Sequence, residues 1–271
     1  MAQVPNEVNP DRTGGPVMGV FDHIEELRAR LMRCLYIFMV GFAGCYAFAE
    51  PMLEFLRRPL FAALPPEQQK LYFTSLFENF LTHLKVSGYG SLIFLSPFYF
   101  AELWKFIAPG LKPHERRWVF PFVSSGALFF MGGAAFAYYV LFPLGFKYFV
   151  QYGGPADVPL LTIANYYDTC LKLMLLFGLA FELPVLLVFL GWLGVVSAEG
   201  LRSSRRTAIL GITVASALFA PPDAMSMLLL MAPLIILYEV AIVVVAWLQR
   251  GRAAQEADGA LASPPEKHPW A

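Results

Sequence analysis

Four glutamates stand where an otherwise apolar sequence has little ordinary use for charge, and they set the chemistry open to it. Glu26 lies in Phe21-Asp22-His23-Ile24-Glu25-Glu26-Leu27-Arg28-Ala29-Arg30-Leu31. Glu26 and Arg30 stand at i and i+4, an ion-pair spacing on one helical face. Glu115 lies in Trp104-Lys105-Phe106-Ile107-Ala108-Pro109-Gly110-Leu111-Lys112-Pro113-His114-Glu115-Arg116-Arg117, a lone acid among Lys105, Lys112, Arg116 and Arg117. Glu182 sits in an apolar run ten residues beyond Lys172, about 15 Å along a helix, with Pro184 beside it. Glu239 interrupts the last apolar run. Such carboxylates pair with cations, order water or carry a proton. By spacing alone, each also has a plain reading. The first segment is an anchoring helix, the loop a basic connection with one counter-charge, and Glu182 a structural acid bonded to a neighbouring helix. Glu239 is an interfacial residue.

Other chemistries are missing. The aspartates, Asp11, Asp22, Asp157, Asp168, Asp223 and Asp258, form no pair within an apolar run, and neither HExxH nor GxSG occurs. Cys34, Cys45 and Cys170 stand singly among apolar residues, without metal or redox spacing. No Walker or dinucleotide glycine motif is present. The expectation is a protein that is not an enzyme and that uses no cofactor and no metal.

The elements that hold these residues follow from composition. Of 271 residues 58% are hydrophobic and only 15% charged, against roughly 25% charged in a soluble domain. So little polar surface calls for lipid as solvent. The net charge of zero gives no basic domain for nucleic acid. Charges divide the apolar sequence into six runs: about 31–49, 76–106, 118–146, 166–191, 207–220 and 224–247. Ser75-x-x-Glu78 reads as a capping box opening the second.

Lys and Arg set the orientation. Arg12, Arg28, Arg30 and Arg33 lie before or at the start of the first run, and Lys105, Lys112, Arg116 and Arg117 at or after the end of the second. Arg202, Arg205 and Arg206 follow the fourth, and Arg250 and Arg252 the sixth. The opposite side has Arg57, Arg58, Lys70 and Lys147. The bias predicts both termini in the cytoplasm. Residues 1–20 read as a disordered cytoplasmic tail, 21–249 as the membrane domain and 250–271 as a second, disordered tail. Ile24, Leu27 and Leu31 predict an amphipathic helix lying at the cytoplasmic interface. Met52–Leu64 should lie along the outer interface, cut by Pro59 and ended by Pro65-Pro66. The fifth and sixth runs are short. Residues 207–222 reach about 24 Å against a hydrocarbon core of about 30 Å. Unequal lengths predict a curved wall rather than a closed bundle.

These strings carry a resemblance. His23-x-x-Glu26-Leu27-Arg28-x-Arg30-Leu31 precedes the first run, and Phe106-Ile107-Ala108-Pro109-Gly110-Leu111-x-x-His114-Glu115-Arg116-Arg117 follows the second. Phe177-Gly178-Leu179-Ala180-Phe181-Glu182-Leu183-Pro184 lies in the fourth and Pro221-Pro222-Asp223 between the last two. In that order, over roughly 20–250, they closely resemble the TatC family of twin-arginine protein export.

The resemblance implies an all-α integral membrane fold in the bacterial inner membrane. It implies six transmembrane helices and a concave wall. Twin-arginine signal peptides of folded substrates would bind at the cytoplasmic face through Glu26, Arg28, Phe106 and Glu115. Glu182 would line the concave face, and Pro59 and Asp223 would serve outer-face structure. Single-span partners of the TatA and TatB types would dock on the last two helices, at Thr213, Leu218, Ser226 and Met227. Many relatives carry polar side chains where this chain has Ala220 and Met227, leaving Thr213 and Ser226 as the polar candidates. Self-association in a larger complex and export driven by the proton-motive force are also implied. A proton-coupled small-molecule transporter would use Glu182 and Pro184, but that class carries repeats and paired broken helices, which the sequence lacks. A passive scaffold would have no specific affinity for arginine pairs.

Overall fold

The computed structural model describes residues 20–110, 119–152, 160–219 and 224–262. Glu115 and Asp223 therefore lie outside the described residues, as do 1–19 and 263–271. Among the described residues every regular element is helical: α1 Val20–Ala47, α2 Ala49–Ala63, α3 Glu78–Phe94, α4 Ser96–Ile107, α5 Val119–Phe136, α6 Phe142–Tyr152, α7 Ile163–Trp192, α8 Ala198–Ser203, α9 Arg205–Phe219 and α10 Ala224–Ala262. The principal helix contacts form a row that starts at α9 and closes on itself among α1, α3, α4, α5 and α7. α9 packs on α10, α10 on α7, α7 on α5 and α3, α5 on α4, and α1 on α3 and α4. α2 covers one end of that row against α6.

Among the described residues four stretches are long and apolar enough to cross a membrane, Ile24–Ala47, Phe120–Gln151, Ile163–Trp192 and Met227–Gly251. The second expected span is two helices, because Pro97 in the first turn of α4 has no N–H for the carbonyl of Ile93. The fifth is the 15-residue α9, as short as its charges imply. Outward apolar surface is the rule on α1, where Leu31 is 66% and Tyr36 72% exposed. In water this would be costly; against lipid tails it is neutral.

Three sequence expectations need correction. The segment carrying Glu26 does not form a separate helix on the membrane surface. It is the first part of α1, which runs without interruption into the apolar stretch, since nothing between Arg28 and Arg33 breaks a helix. Nor does the sixth helix stop near 249. α10 continues to Ala262, carried by the strong helix formers Ala253, Ala254, Gln255, Glu256 and Ala257.

Pro59, third, does not cut α2. Its missing N–H would orphan the carbonyl of Phe55, but Tyr138 Oη donates to that oxygen at 2.8 Å. Tyr166 and Tyr167 hydroxyls donate to the carbonyls of Leu56 and Leu53 at 2.7 and 3.0 Å. Three tyrosines thus tie α2 to the row, over a core that includes Leu53, Leu56, Leu60, Leu141, Phe142 and Cys170. Tyr138 reaches α2 from a π-turn, Ala137–Leu141, in which Phe142 N bonds back to Ala137 O. The next residue, Pro143, has no N–H, which favours this wider register. Tyr138→Phe should lower stability by about 1–3 kcal/mol, the cost of an unsatisfied buried acceptor. In a Pro59→Ala background the loss should shrink, because the new backbone N–H at that position can donate to Phe55 O. Thermal unfolding in detergent of the two single variants and the double would read this. Additive losses would refute the substitution of one donor for the other.

At the α2 end, Glu78 joins two helix starts. Its Oε2 accepts from the N–H groups of Thr74 and Ser75 at 2.6 and 3.3 Å, and its Oε1 from Ala164 N at 2.7 Å. Half of the expected capping box is present in this form, with Glu78 N bonded to Ser75 O at 3.1 Å. The Ala164 bond satisfies an orphan donor in the first turn of α7, whose own N-cap residue, Thr162, supplies no side-chain bond.

Candidate twin-carboxylate site

The ends of α1 and α4 meet at the arginine-rich end of the molecule. Arg30, one turn beyond Glu26 on α1, places its guanidinium between two carboxylates. Its Nε donates to Glu26 Oε1 at 3.1 Å and a terminal nitrogen closes a second, short bond to the same oxygen. The other terminal nitrogen reaches Glu102 Oε2 at 3.5 Å. Arg33 donates to that same oxygen at 3.2 Å, and Lys105 to Glu102 Oε1 at 2.8 Å. Glu102 is only 6% exposed and gathers three cations. Burying a carboxylate at such depth is tolerable only with paired, hydrogen-bonded partners, and Glu102 has them on both oxygens. Glu26 does not: its Oε2 is shielded from solvent with no hydrogen-bond partner among the described residues.

The sequence-derived residues divide here. Glu26 is in the cluster, and Phe106 is half-buried in the last turn of the same α4 that carries Glu102 and Lys105. Arg28 is exposed. Two residues along a helix lie nearly opposite one another, so Arg28 does not share the face of Glu26. Sequence reasoning missed Glu102. Its local signal was an i,i+3 partner, Lys105, in an otherwise aromatic turn.

The other candidate residues lie elsewhere. Glu182, half-buried on α7, faces Gly126 of α5: a Cβ there would lie 3.2 Å from Glu182 Oε2 and 3.5 Å from Phe100. Its Oε1 is buried without a hydrogen-bond partner among the described residues. Nearer the α2 end, Asp168 bonds Lys85 at 3.0 Å and Lys172 at 2.5 Å. Charges that looked isolated in two separate runs therefore form one cluster. Glu239 pairs with Arg205 at 2.7 Å. On α9, Thr213 Oγ1 donates to Ile209 O at 2.8 Å and lies 3.3 Å from Met231 Sδ. Leu218 is 77% exposed and Met227 half-buried. Ser226 belongs to α10, and its side chain lies outside the described residues.

A guanidinium seated between carboxylates is what this corner of the molecule can do chemically. The planar fork of Arg fits two carboxylate oxygens where the point charge of Lys does not. The chain is similar to known proteins over most of its length. Residues 22–233 match the family model described as Sec-independent protein translocase protein (TatC). The Sec-independent protein translocase protein TatC of Magnetococcus marinus is 41% identical over 237 residues, 87% of each chain. The protein of that name from Campylobacter jejuni is 38% identical over 237 residues, 87% of this chain and 97% of its own. Among solved structures, one titled as the twin arginine translocase receptor TatC superposes with a TM-score of 0.74. It is 33% identical and covers 82% of this chain and 97% of its own.

Proposed function

This chain belongs to the TatC family of Sec-independent protein translocase proteins, and from that premise we propose that it is the receptor and core subunit of twin-arginine export. It is a membrane-embedded transport subunit, not an enzyme. In the proposed reading it lies in a bacterial inner membrane with six crossings and both termini in the cytoplasm. The α3–α4 pair and α9 complete the four long spans, and 1–20 and 250–271 are cytoplasmic segments, the second beginning as the last turns of α10. The signal peptide of a folded substrate docks its two arginines at Glu26 and Glu115, with Phe106 beside them and Arg28 contributing from the other flank of α1.

One observation carries the reading: Glu26 already holds a guanidinium, that of Arg30. A site built for this fork accepts another. TatA- and TatB-type partners dock along α9 and α10, around Thr213, Leu218, Ser226 and Met227. The exposed stripe Leu210, Val214 and Leu218 on α9 supports this, as α9 lies at the end of the row with α10 as its main neighbour. Glu182 offers a polar point on the concave face to an inserted peptide. Asp223 and Pro59 serve outer-face structure. Several copies work together, and the proton-motive force drives transport.

The test is photocrosslinking of a twin-arginine signal peptide to probes at Phe106 and at Met227 in membranes. Adducts at Phe106 that disappear when the peptide's Arg-Arg becomes Lys-Lys are expected, with partner adducts at Met227. A peptide that never reaches Phe106, with the protein intact in the membrane, would discard the receptor mechanism.

A further inference from the structure

We propose that Glu102 is a positioning residue of the arginine site: it retains Arg30 when an incoming arginine takes Glu26. The inference rests on the receptor reading above and extends it to a residue outside the family strings. Its basis is an asymmetry between the two carboxylates. Both oxygens of Glu102 are engaged, by Lys105 on one side and by Arg33 and Arg30 on the other. Glu26 has Arg30 on one oxygen and, among the described residues, nothing on the other. Among those residues Arg30 is the cation common to both. Its resting pose occupies the carboxylate that a ligand needs, so a ligand must compete with it.

Charge decides how that competition ends. Arg30 sits on the docking carboxylate, Arg33 and Lys105 share Glu102 with it, and a ligand with two arginines adds two more positive charges. Without a counter-ion on α4 the three resident cations would repel it across a few ångströms, and Arg30 would settle on Glu26 alone. Glu102 prevents both. Being only 6% exposed, it screens its three cations less through water than through direct contact. Its bond to Arg30 keeps that guanidinium anchored while Glu26 changes partner. The exchange forms and breaks only hydrogen bonds. Arg30 gives up Glu26 Oε1 and keeps Glu102 Oε2, and the incoming guanidinium donates to the two oxygens of Glu26.

The experiment measures half-maximal crosslinking of a synthetic Arg-Arg signal peptide, and of its Lys-Lys twin, to membranes containing the full chain. Four forms are compared: wild type, Glu102→Gln, Arg30→Gln and the double variant. Glu102→Gln should raise the Arg-Arg peptide concentration needed by roughly tenfold, the scale of one charge-assisted bond, and narrow the preference over Lys-Lys. Adding Arg30→Gln to Glu102→Gln should recover most of that loss, because the competitor for Glu26 is gone. A merely structural Glu102 would give further loss on adding the second substitution, and that result overturns the proposal. So does a Glu102→Gln protein that binds as wild type does. A wild type without preference for Arg-Arg overturns the receptor reading and the inference with it.

Discussion

Alanine at Gly133 is expected to lower the stability of the protein by about 3 kcal/mol, the upper end of the usual cost of overpacking, while alanine at Gly132 leaves it unchanged or improves it. The two glycines are adjacent on α5 and differ only in what they face. A Cβ at Gly133 would lie 2.7 Å from the carbonyl carbon of Phe177 and 3.0 Å from Gly178 Cα, and closer still to the Phe177 carbonyl oxygen. These are backbone atoms in the middle of α7, so no side-chain rotation relieves the clash and the helices must separate. At Gly132 nothing lies within 4 Å. There alanine gains up to about 1 kcal/mol of helix propensity. α5 against α7 is the most extensive helix pair among the described residues. In lipid such contacts are held by close van der Waals packing rather than by expulsion of water, so small residues at the crossing carry much of the stability. The crossing is reciprocal: Gly178 of α7 receives the ring of Phe130 from α5, with a Cβ position 3.0 Å from that ring. Thermal unfolding of the purified protein in detergent should show Gly133→Ala melting roughly 5–10 °C below wild type, at a few degrees per kcal/mol. Equal behaviour of the two variants would mean that the α5–α7 crossing is not the close approach described.

What the sequence made legible is what chemistry enforces locally. Apolar runs bounded by Lys and Arg located the helices, and the i,i+4 spacing of Glu26 and Arg30 gave their ion pair. What it hid depends on residues far apart in the chain. Pro59 reads as a helix breaker because its missing donor is local; the replacement, Tyr138 Oη, reaches Phe55 O from 83 residues away. Glu102 looked like one acid in an aromatic turn, since Arg30 and Arg33 lie 72 and 69 residues from it. The same holds for Asp168, paired with a lysine 83 residues distant. In the opposite sense, Pro97 and Pro143 were local signals that length-based reading passed over. One divides the second span and the other accompanies the π-turn that aims Tyr138 at α2. The candidate site was therefore half visible: the carboxylate on α1 was, and the one on α4 was not.

Replacing Glu26 with glutamine should weaken binding of an Arg-Arg signal peptide by roughly 2–3 kcal/mol, on the order of a hundredfold, with little effect on folding. The substitution keeps the side chain's shape and one carbonyl acceptor but removes the charge and one acceptor oxygen, so a guanidinium can no longer be held by two parallel bonds. The fold tolerates this because Arg30 still has Glu102 and because glutamine keeps the volume and one acceptor oxygen at position 26. The size of the effect follows from the state of the free site. Glu26 Oε2 is shielded from water and has no partner among the described residues. A ligand N–H that reaches this oxygen would give it the partner it lacks among the described residues, a charge-assisted bond of about 1.5–3 kcal/mol. Pre-organisation of this kind places the gain in binding rather than in folding, which is why Glu26→Gln should leave the melting temperature near wild type while abolishing the preference for Arg-Arg over Lys-Lys. Glu26→Asp, shorter by one methylene, should keep the charge and recover only part of the affinity. Titration of a fluorescent signal peptide against the three proteins, with unfolding curves in parallel, separates the cases. A Glu26→Gln protein that still prefers arginine pairs would move the site away from α1 and leave the guanidinium between Glu26 and Glu102 as a structural clasp alone.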